Sequence, residues 1–216
     1  MSRCTMPIAR STTSYAVLGL LSVRTWTTYE LAKQVQRSLK WFWPRAERKL
    51  YDEPKALVAA GLARASKQYT GQRASTLYEI TPEGRAALGA WLDEPSGPPQ
   101  LECEAMLKVF FADGGSLPQL QRTLERLEAE SAERLRALGE MASASVSEGT
   151  AFPERLHISA VALRLQARQE LALLEWTRWA RRQVARWRST TDPGRWSAPG
   201  AIRELGAEIE AVLANT

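Results

Sequence analysis

The side chains of this sequence that could do chemistry are basic and aromatic, and they are concentrated between Arg24 and Arg73. That stretch holds 11 basic and 4 acidic side chains, whereas the whole chain carries a net charge of only +5 at pH 7. Arginine and lysine neutralise phosphates, arginine also binds guanine edges through two hydrogen bonds, and tyrosine donates to phosphate oxygens. The pattern therefore favours binding of a polyanion such as double-stranded DNA.

The candidate DNA contacts fall into two groups. One group lies on a predicted third helix and suits both bases and phosphates: Arg45, Arg48, Lys49, Tyr51 and Lys55. The other group lies at the start of a predicted second helix and on a hairpin, and suits the DNA backbone: Thr28, Tyr29, Lys67, Tyr69, Gln72 and Arg73. The alternative for each residue is an ordinary solvated face with no DNA contact.

No arrangement typical of an enzyme or a metal site accompanies these residues. His157 is the single histidine, no serine or cysteine lies in a nucleophile-elbow sequence, and no glycine-rich phosphate loop occurs. Cys4 and Cys103 are the two cysteines, and with one histidine they are too few to ligate a metal. We therefore expect a protein that is not an enzyme and has no cofactor.

Compartment and domain organisation follow from composition. The sequence shows no apolar run of the signal-peptide type and no segment of roughly 20 apolar residues. We expect a cytoplasmic protein without membrane contact, in which both cysteines are reduced. A proline-rich break at residues 93–99 stops any helix and predicts two domains, 1–95 and 98–216.

The first domain shows the element order helix, helix, helix, strand, strand, helix. A capping box at Thr27 and Glu30 opens the second helix, and Thr81-Pro82-Glu83 opens the last one. The other predicted elements are a helix over Ser14–Val23, a helix from Pro44 to Gly61, and strands over Leu62–Gln68 and Ser75–Ile80. This order is typical of a winged helix-turn-helix, in which the third helix enters the major groove and the hairpin is the wing.

Four sets of residues occur along this domain in a specific order: Tyr15-Ala16-Val17-Leu18-Gly19-Leu20-Leu21, Tyr29-Glu30-Leu31, Leu50-Tyr51 with Leu57 and Gly61-Leu62, and Tyr78-Glu79-Ile80-Thr81-Pro82-Glu83-Gly84. They resemble the PadR family of transcriptional regulators over nearly all of residues 12–92. One departure is Pro54, where the family usually has leucine. Proline there removes the hydrogen bond to the Leu50 carbonyl, so the helix should kink or break between Tyr51 and Pro54.

The second domain is predicted to be all helical. A short apolar helix over Leu101–Ala112 precedes a long one with a 3-4 repeat from Leu117 to Met141, in which Arg134 is the one charged position. Another long helix, Glu154 to Ser189, carries two apolar stripes, which need two partners and so indicate a dimer interface. The layout resembles the virulence-activator (AphA-like) branch of the PadR family.

Tryptophan is unusually frequent, with 8 in 216 residues. Trp41 and Trp43 flank the start of the third helix, where we expect them to pack against the core. Trp176, Trp179 and Trp187 are candidates for a pocket between subunits that binds a small aromatic effector, because flat apolar ligands stack on indoles. The alternative is packing in the core or dimer interface.

These observations predict a mainly α protein with an N-terminal winged helix-turn-helix, in which three helices carry a two-stranded wing, and a C-terminal all-α, coiled-coil-like dimerisation domain. The resemblance implies a homodimeric transcriptional regulator, a repressor, on an inverted-repeat operator, with phenolic or drug-like effectors in some family members. The alternative is a protein-interaction adaptor in which the winged helix and the C-terminal helices both bind protein partners.

Overall fold

The computed structural model describes residues 11–43, 51–70 and 73–214. The chain divides into two compact units, and the boundary along the sequence lies between Pro99 and Gln100. It is mostly helical, with one small antiparallel sheet in the first unit. In these ranges no helix combines the length and the apolar character that crossing a bilayer requires.

The first unit has the winged-helix order predicted from the sequence. Its helices and strands are α1 (Thr12–Val23), β1 (Trp26–Thr27), α2 (Thr28–Arg37), α3 (Glu53–Ala59), β2 (Ala63–Thr70), β3 (Arg73–Ile80) and α4 (Pro82–Asp93), with a 3-10 turn at Leu39–Trp41. Its core consists of side chains from α1, α2, α3 and the sheet: Val17, Leu18, Leu21, Leu31, Val35, Leu57 and Ile80.

The sheet has three strands in the order β1-β3-β2, and both pairings are antiparallel. β1 was not predicted, because two residues carry no periodic signal and form a strand only by pairing with Leu77 and Tyr78. The hairpin strands extend closer to the turn than predicted, as far as the Thr70–Arg73 pair. Polar residues there indicated a loop, but polarity reports exposure to water and does not prevent ladder pairing.

The described part of the third helix is shorter than predicted. α3 begins at Glu53 with Pro54 in its first turn, and Tyr51 and Asp52 form a turn before it. Continuous helix from Pro44 is therefore wrong at these two residues, in keeping with the break expected at Pro54. The predicted C-cap glycine is confirmed, since Gly61 follows the helix with φ of +74°.

The second unit consists of helices α5 (Glu104–Phe110), α6 (Leu117–Ser147), α7 (Leu156–Val184) and α8 (Ala198–Leu213), with 3-10 turns at Ala112–Gly114 and Pro153–Arg155. α7 ends five residues before the predicted Ser189, because the backbone N–H groups of Arg188 and Ser189 turn to bond the Asp192 carbonyl. α8 was not predicted. Pro199 lies in its first turn, where proline costs no backbone hydrogen bond.

Helices α6 and α7 pack antiparallel, and the predicted 3-4 repeat of α6 supplies its buried side chains. Leu120 and Leu124 of α6 form a cluster with Ala180 and Val184 of α7. The charged position in the predicted repeat is accommodated, because Arg134 Nε donates to Glu170 Oε1 of α7 at 2.8 Å. The C-terminal half of α7 thus finds its apolar partner inside the protomer.

Ion pairs beside this apolar cluster fix the same alignment. Arg178 and Arg181 of α7 both donate to the Glu128 carboxylate of α6. The hydrogen bond from Arg181, followed by that from Arg178, holds the pKa of Glu128 below its ordinary value, with burial opposing. The two helices therefore have one register along their length.

The N-terminal half of α7 carries part of one predicted apolar stripe on an uncovered face. Ile158, Val161 and Leu165 are each about half or more exposed in the protomer. This stripe therefore has no cover among the described residues of the protomer. It stays a candidate interface.

Gly84 of α4 is a position where only glycine fits. A Cβ there would overlap the Leu62 carbonyl oxygen and lie 2.9 Å from Ile80 Cγ1. We expect Gly84→Ala to lower the free energy of unfolding by about 1–3 kcal/mol through overpacking. Gly89→Ala on the same helix meets no atom within 4 Å and should raise it by about 0.5–1 kcal/mol. Urea unfolding of both variants measures the difference, and equal effects of the two would contradict the close approach.

Candidate nucleic-acid interface

The start of α2 is fixed by the capping box predicted from the sequence. Thr27 Oγ1 accepts from the Glu30 backbone N–H at 3.2 Å, and Glu30 Oε2 accepts from the Thr27 backbone N–H at 2.8 Å. The Thr27 backbone donor lowers the pKa of Glu30, burial opposes it, and the Thr27 hydroxyl and Arg24 lower it further. This leaves Thr28 half-buried and Tyr29 75% exposed at the positive end of the helix dipole.

A tryptophan that sequence reasoning missed anchors this helix start. Trp26 is 3% exposed, and its indole Nε1 donates to the Leu20 carbonyl at 2.7 Å. The Arg24 guanidinium lies 3.7 Å from the ring centroid of Trp26 and pairs with Glu30 at 3.1 Å. A tryptophan directly before the capping threonine was the available signal.

The start of α3 is attached to α1 through Glu53. Ser14 Oγ donates to Glu53 Oε2 at 2.8 Å, and Ser11 Oγ donates to Glu53 Oε1 at 3.3 Å. Pro54 and Leu57 are buried on the same helix. With that face held, Tyr51 and Lys55 are exposed, as expected of DNA-contacting side chains.

Trp43 has the anchoring role that the sequence predicted for it. Its indole Nε1 donates to Thr13 Oγ1 of α1 at 3.1 Å. The segment before the third helix is thus attached to the same end of α1 as Glu53.

Two of the candidate wing contacts, Lys67 and Tyr69, lie on one face of the hairpin. Lys67 lies opposite Thr76 and Tyr69 lies opposite Ala74 in the antiparallel register. Because side chains alternate along a strand, Lys67 and Tyr69 share the face that Ala63 and Ile80 bury at the base of the hairpin. Both are exposed, because they lie beyond the core.

The sheet joins some of the predicted DNA-contacting residues. β1 ends where α2 begins and pairs with β3, so one sheet connects Thr28 and Tyr29 with the wing residues Lys67 and Tyr69. Arg73 begins β3. The remaining predicted contacts lie outside the described residues and stay predictions: Arg45, Arg48, Lys49 and Gln72.

The three predicted effector tryptophans do not form one cluster in the protomer. Trp176 and Trp187 pack against the α6–α7 cluster, whereas Trp179 is 40% exposed. Trp187 also contacts Trp196, with ring centroids 5.5 Å apart. Within residues 11–43, 51–70 and 73–214, no three His, Cys, Asp or Glu side chains are grouped so as to hold a metal ion.

The capping box predicts a pH dependence. Since the pKa of Glu30 is lowered in the folded state, its stabilisation is present above the unfolded pKa and is lost as pH falls through the folded one. Glu30→Ala should cost about 1 kcal/mol at pH 7 and less at pH 3. Glu83→Ala, an acid in the first turn of α4, is the matched control for the helix dipole. Urea unfolding at both pH values checks this, and a cost for Glu30→Ala that does not shrink at pH 3 would contradict it.

Two family models match the chain, one in each unit. Residues 17–90 match the Transcriptional regulator PadR-like family, and residues 103–185 match the Virulence activator alpha C-term family. The first match contains α2, α3 and the wing, and the second contains α5, α6 and α7.

Curated relatives match over shorter stretches. A probable transcriptional regulator of Mycobacterium tuberculosis, Rv1176c, is 29% identical over 85 residues, which are 39% of this chain and 45% of that protein. The negative transcriptional regulator PadR of Bacillus subtilis is 28% identical over 99 residues, 45% of this chain and 54% of that protein. The chain thus spans about half the length of these relatives.

Solved structures match over most of the chain and show the fold. Bacillus subtilis PadR in complex with operator DNA gives a TM-score of 0.69 at 20% identity, covering 81% of this chain and 99% of that chain. The same protein with p-coumaric acid gives 0.62 at 19% identity, covering 82% and 99%. The Vibrio cholerae virulence activator AphA gives 0.63 at 22% identity, covering 81% and 98%.

The fold, the order of the elements and the two family matches agree with one another, and together the matches span most of the sequence. The chain thus contains a domain of the PadR-like family of transcriptional regulators, followed by a helical domain of the virulence-activator alpha C-terminal family.

Proposed function

We propose that this protein binds double-stranded DNA as a homodimer on an inverted-repeat operator and represses transcription in the cytoplasm. The observation that carries the proposal is the three-stranded sheet, which connects the start of α2 with the wing. A winged helix contacts DNA at several separated points, so these points need a common rigid support. The sheet supplies it for Tyr29 and for the wing residues Lys67 and Tyr69.

The chemistry of the exposed side chains supports this proposal. Tyr29, Tyr51 and Tyr69 are all more than 60% exposed although tyrosine is a costly side chain to leave in water. Phenol hydroxyls donate to phosphate oxygens, and Lys55 and Lys67 supply the positive charge that releases counterions. Charge and hydrogen-bond donors thus occur on both α3 and the wing.

Exposed apolar surface on the second unit supports the proposed homodimer. Leu107, Phe110 and Phe111 near α5 are all more than half exposed, in addition to the Ile158, Val161 and Leu165 stripe of α7. Exposed apolar side chains in this number mark an interface. A twofold dimer would present two winged helices, and these would match two half-sites separated by a whole number of helical turns.

Release by an effector is the regulatory part of the proposal. The Bacillus subtilis relative has been solved both with operator DNA and with p-coumaric acid. We place the corresponding ligand of this chain at the tryptophans of α7 and the segment after it, Trp176, Trp179 and Trp187, since indoles stack on flat aromatic molecules. A ligand there would change DNA affinity only by binding one spacing of the two winged helices better than another.

Selection of bound genomic fragments by the purified full-length protein tests the proposed function. We expect enrichment of a palindromic sequence with half-sites about 10 or about 20 base pairs apart, as twofold symmetry requires. Failure to enrich any sequence would contradict the proposal and favour the adaptor.

Paired substitutions test the predicted recognition segment. Arg48→Ala with Lys49→Ala should weaken operator binding at least about tenfold and flatten the salt dependence by about one unit of slope for each phosphate that the variant no longer neutralises. The matched control, Arg122→Ala with Arg126→Ala, removes the same charge from exposed positions of α6 in the second unit. Fluorescence anisotropy with the recovered palindrome measures both. Equal affinity of the two double variants would overturn the assignment of residues 48 and 49.

A further inference from the structure

Helix α8 is the least covered element of the second unit. Every residue from Ile202 to its end is exposed, and none of its 16 residues is buried. Yet Ile202, Leu205 and Ile209 follow one another at the spacing of a helix face that packs on another helix. We call these three residues the α8 stripe. The helix lies outside the segment matched by the virulence-activator family model, which ends at residue 185.

A second stripe in the same unit has the same spacing. Ile158, Val161 and Leu165 on α7, the α7 stripe, repeat the three-residue and four-residue steps of the α8 stripe. All six side chains are about half or more exposed. Each stripe is one row of knobs that a facing helix could accept.

The charges beside the two stripes are opposite. Residues 155–169 hold Arg155, Arg164 and Arg168 and no acidic residue. α8 holds three glutamates and one arginine, and Glu208 and Glu210 flank its stripe on either side. No ion pair links Arg164, Arg168, Glu208 or Glu210 to another residue in the described part of the chain. The two surfaces therefore complement each other in both apolar spacing and charge.

The α8 stripe cannot reach the α7 stripe of its own chain. The segment between the helices returns to the end of α7, where Trp196 packs on Trp187 and Thr190 Oγ1 donates to the Gly115 carbonyl. From Ser197, Ile209 lies about 18 Å along α8, whereas Leu165 lies about 28 Å from Val184 along α7. The helix starts too far from the stripe and is too short to cover it.

A second copy of the chain removes this difficulty. In a twofold dimer whose α7 helices run antiparallel, the C-terminal end of one α7 lies beside the N-terminal half of the other. We propose that α8 of each protomer docks its Ile202, Leu205 and Ile209 face on the Ile158, Val161 and Leu165 face of the partner's α7, with the glutamates beside the α8 stripe facing the arginines beside the α7 stripe. The inference rests on the homodimer of the proposed function and adds the segment that holds it together.

The twofold geometry gives a test by charge exchange. The variant E208R/E210R places basic side chains against the basic α7 surface, and R164E/R168E places acidic side chains against the acidic α8. Each variant alone brings like charges together at both α7–α8 interfaces of its homodimer. In a heterodimer of the two variants, both interfaces are again between opposite charges.

Sedimentation velocity of the full chain over a concentration series measures the outcome. We expect each variant alone to dimerise at least about tenfold more weakly than the wild type, and the equimolar mixture to regain dimerisation close to wild type. The control D93R/E94R makes the same charge change as E208R/E210R at the end of α4, in the first unit, and should dimerise like the wild type. A mixture that dimerises no better than the separate variants overturns the inference.

A second variant tests the apolar part. I202S/L205S/I209S changes side chains that are exposed in the protomer, so circular dichroism should show an unchanged helix content at high concentration. Its dimer dissociation constant should rise by about a hundredfold. Wild-type dimerisation by this variant overturns the docking of α8 but leaves the proposed function standing. A wild type that sediments as a monomer throughout overturns both.

Discussion

The pairing of Trp26 and Thr27 with Leu77 and Tyr78 is the constraint on which the first unit depends. It is only two residues long, but Trp26 and Tyr78 are both buried, so the pairing cannot slip by one residue without exposing an aromatic ring. Because β1 continues directly into α2 and β3 forms half of the wing, this short ladder fixes the positions of both the start of α2 and the wing. The third part of the candidate DNA-binding surface, α3, is attached to α1 by the hydrogen bond from the Ser14 hydroxyl to Glu53.

In the second unit, long helices pack together although few of their side chains are buried. The C-terminal half of α7 packs on α6 through small and branched side chains, and Arg134, Arg178 and Arg181 pair with glutamates across the seam. Toward its N-terminus α7 turns an apolar face to water. Apolar surface that one protomer cannot bury is available for association, and the proposed homodimer requires association of that kind.

Local hydrogen-bond chemistry made several elements predictable from the sequence. The capping box at Thr27 and Glu30, the N-cap at Thr81 and the C-cap at Gly61 each depend on residues within one turn of helix, and all three were found.

β1 was missed because it exists only through pairing with residues about 50 positions later. α8 was missed because proline and glycine mark a helix start as readily as a loop. The candidate site divides along the same line: the exposure of Tyr29, Lys55 and Lys67 follows from the elements predicted for them, whereas Tyr51 lies in a turn where the sequence predicted continuous helix. The side chains that support the site were not found, because the stacking of Arg24 on Trp26 and the bonds from Ser11 and Ser14 to Glu53 exist only in the tertiary fold.

The salt dependence of DNA affinity tests most directly whether the first unit is a phosphate-binding surface. For a protein with about 6 phosphate contacts, affinity for a palindromic fragment should fall about a thousandfold between 50 and 200 mM salt, with a linear log–log slope. Weak DNA binding that is the same at both salt concentrations would contradict a phosphate-binding role. It would assign the exposed tyrosines and lysines to a protein partner instead.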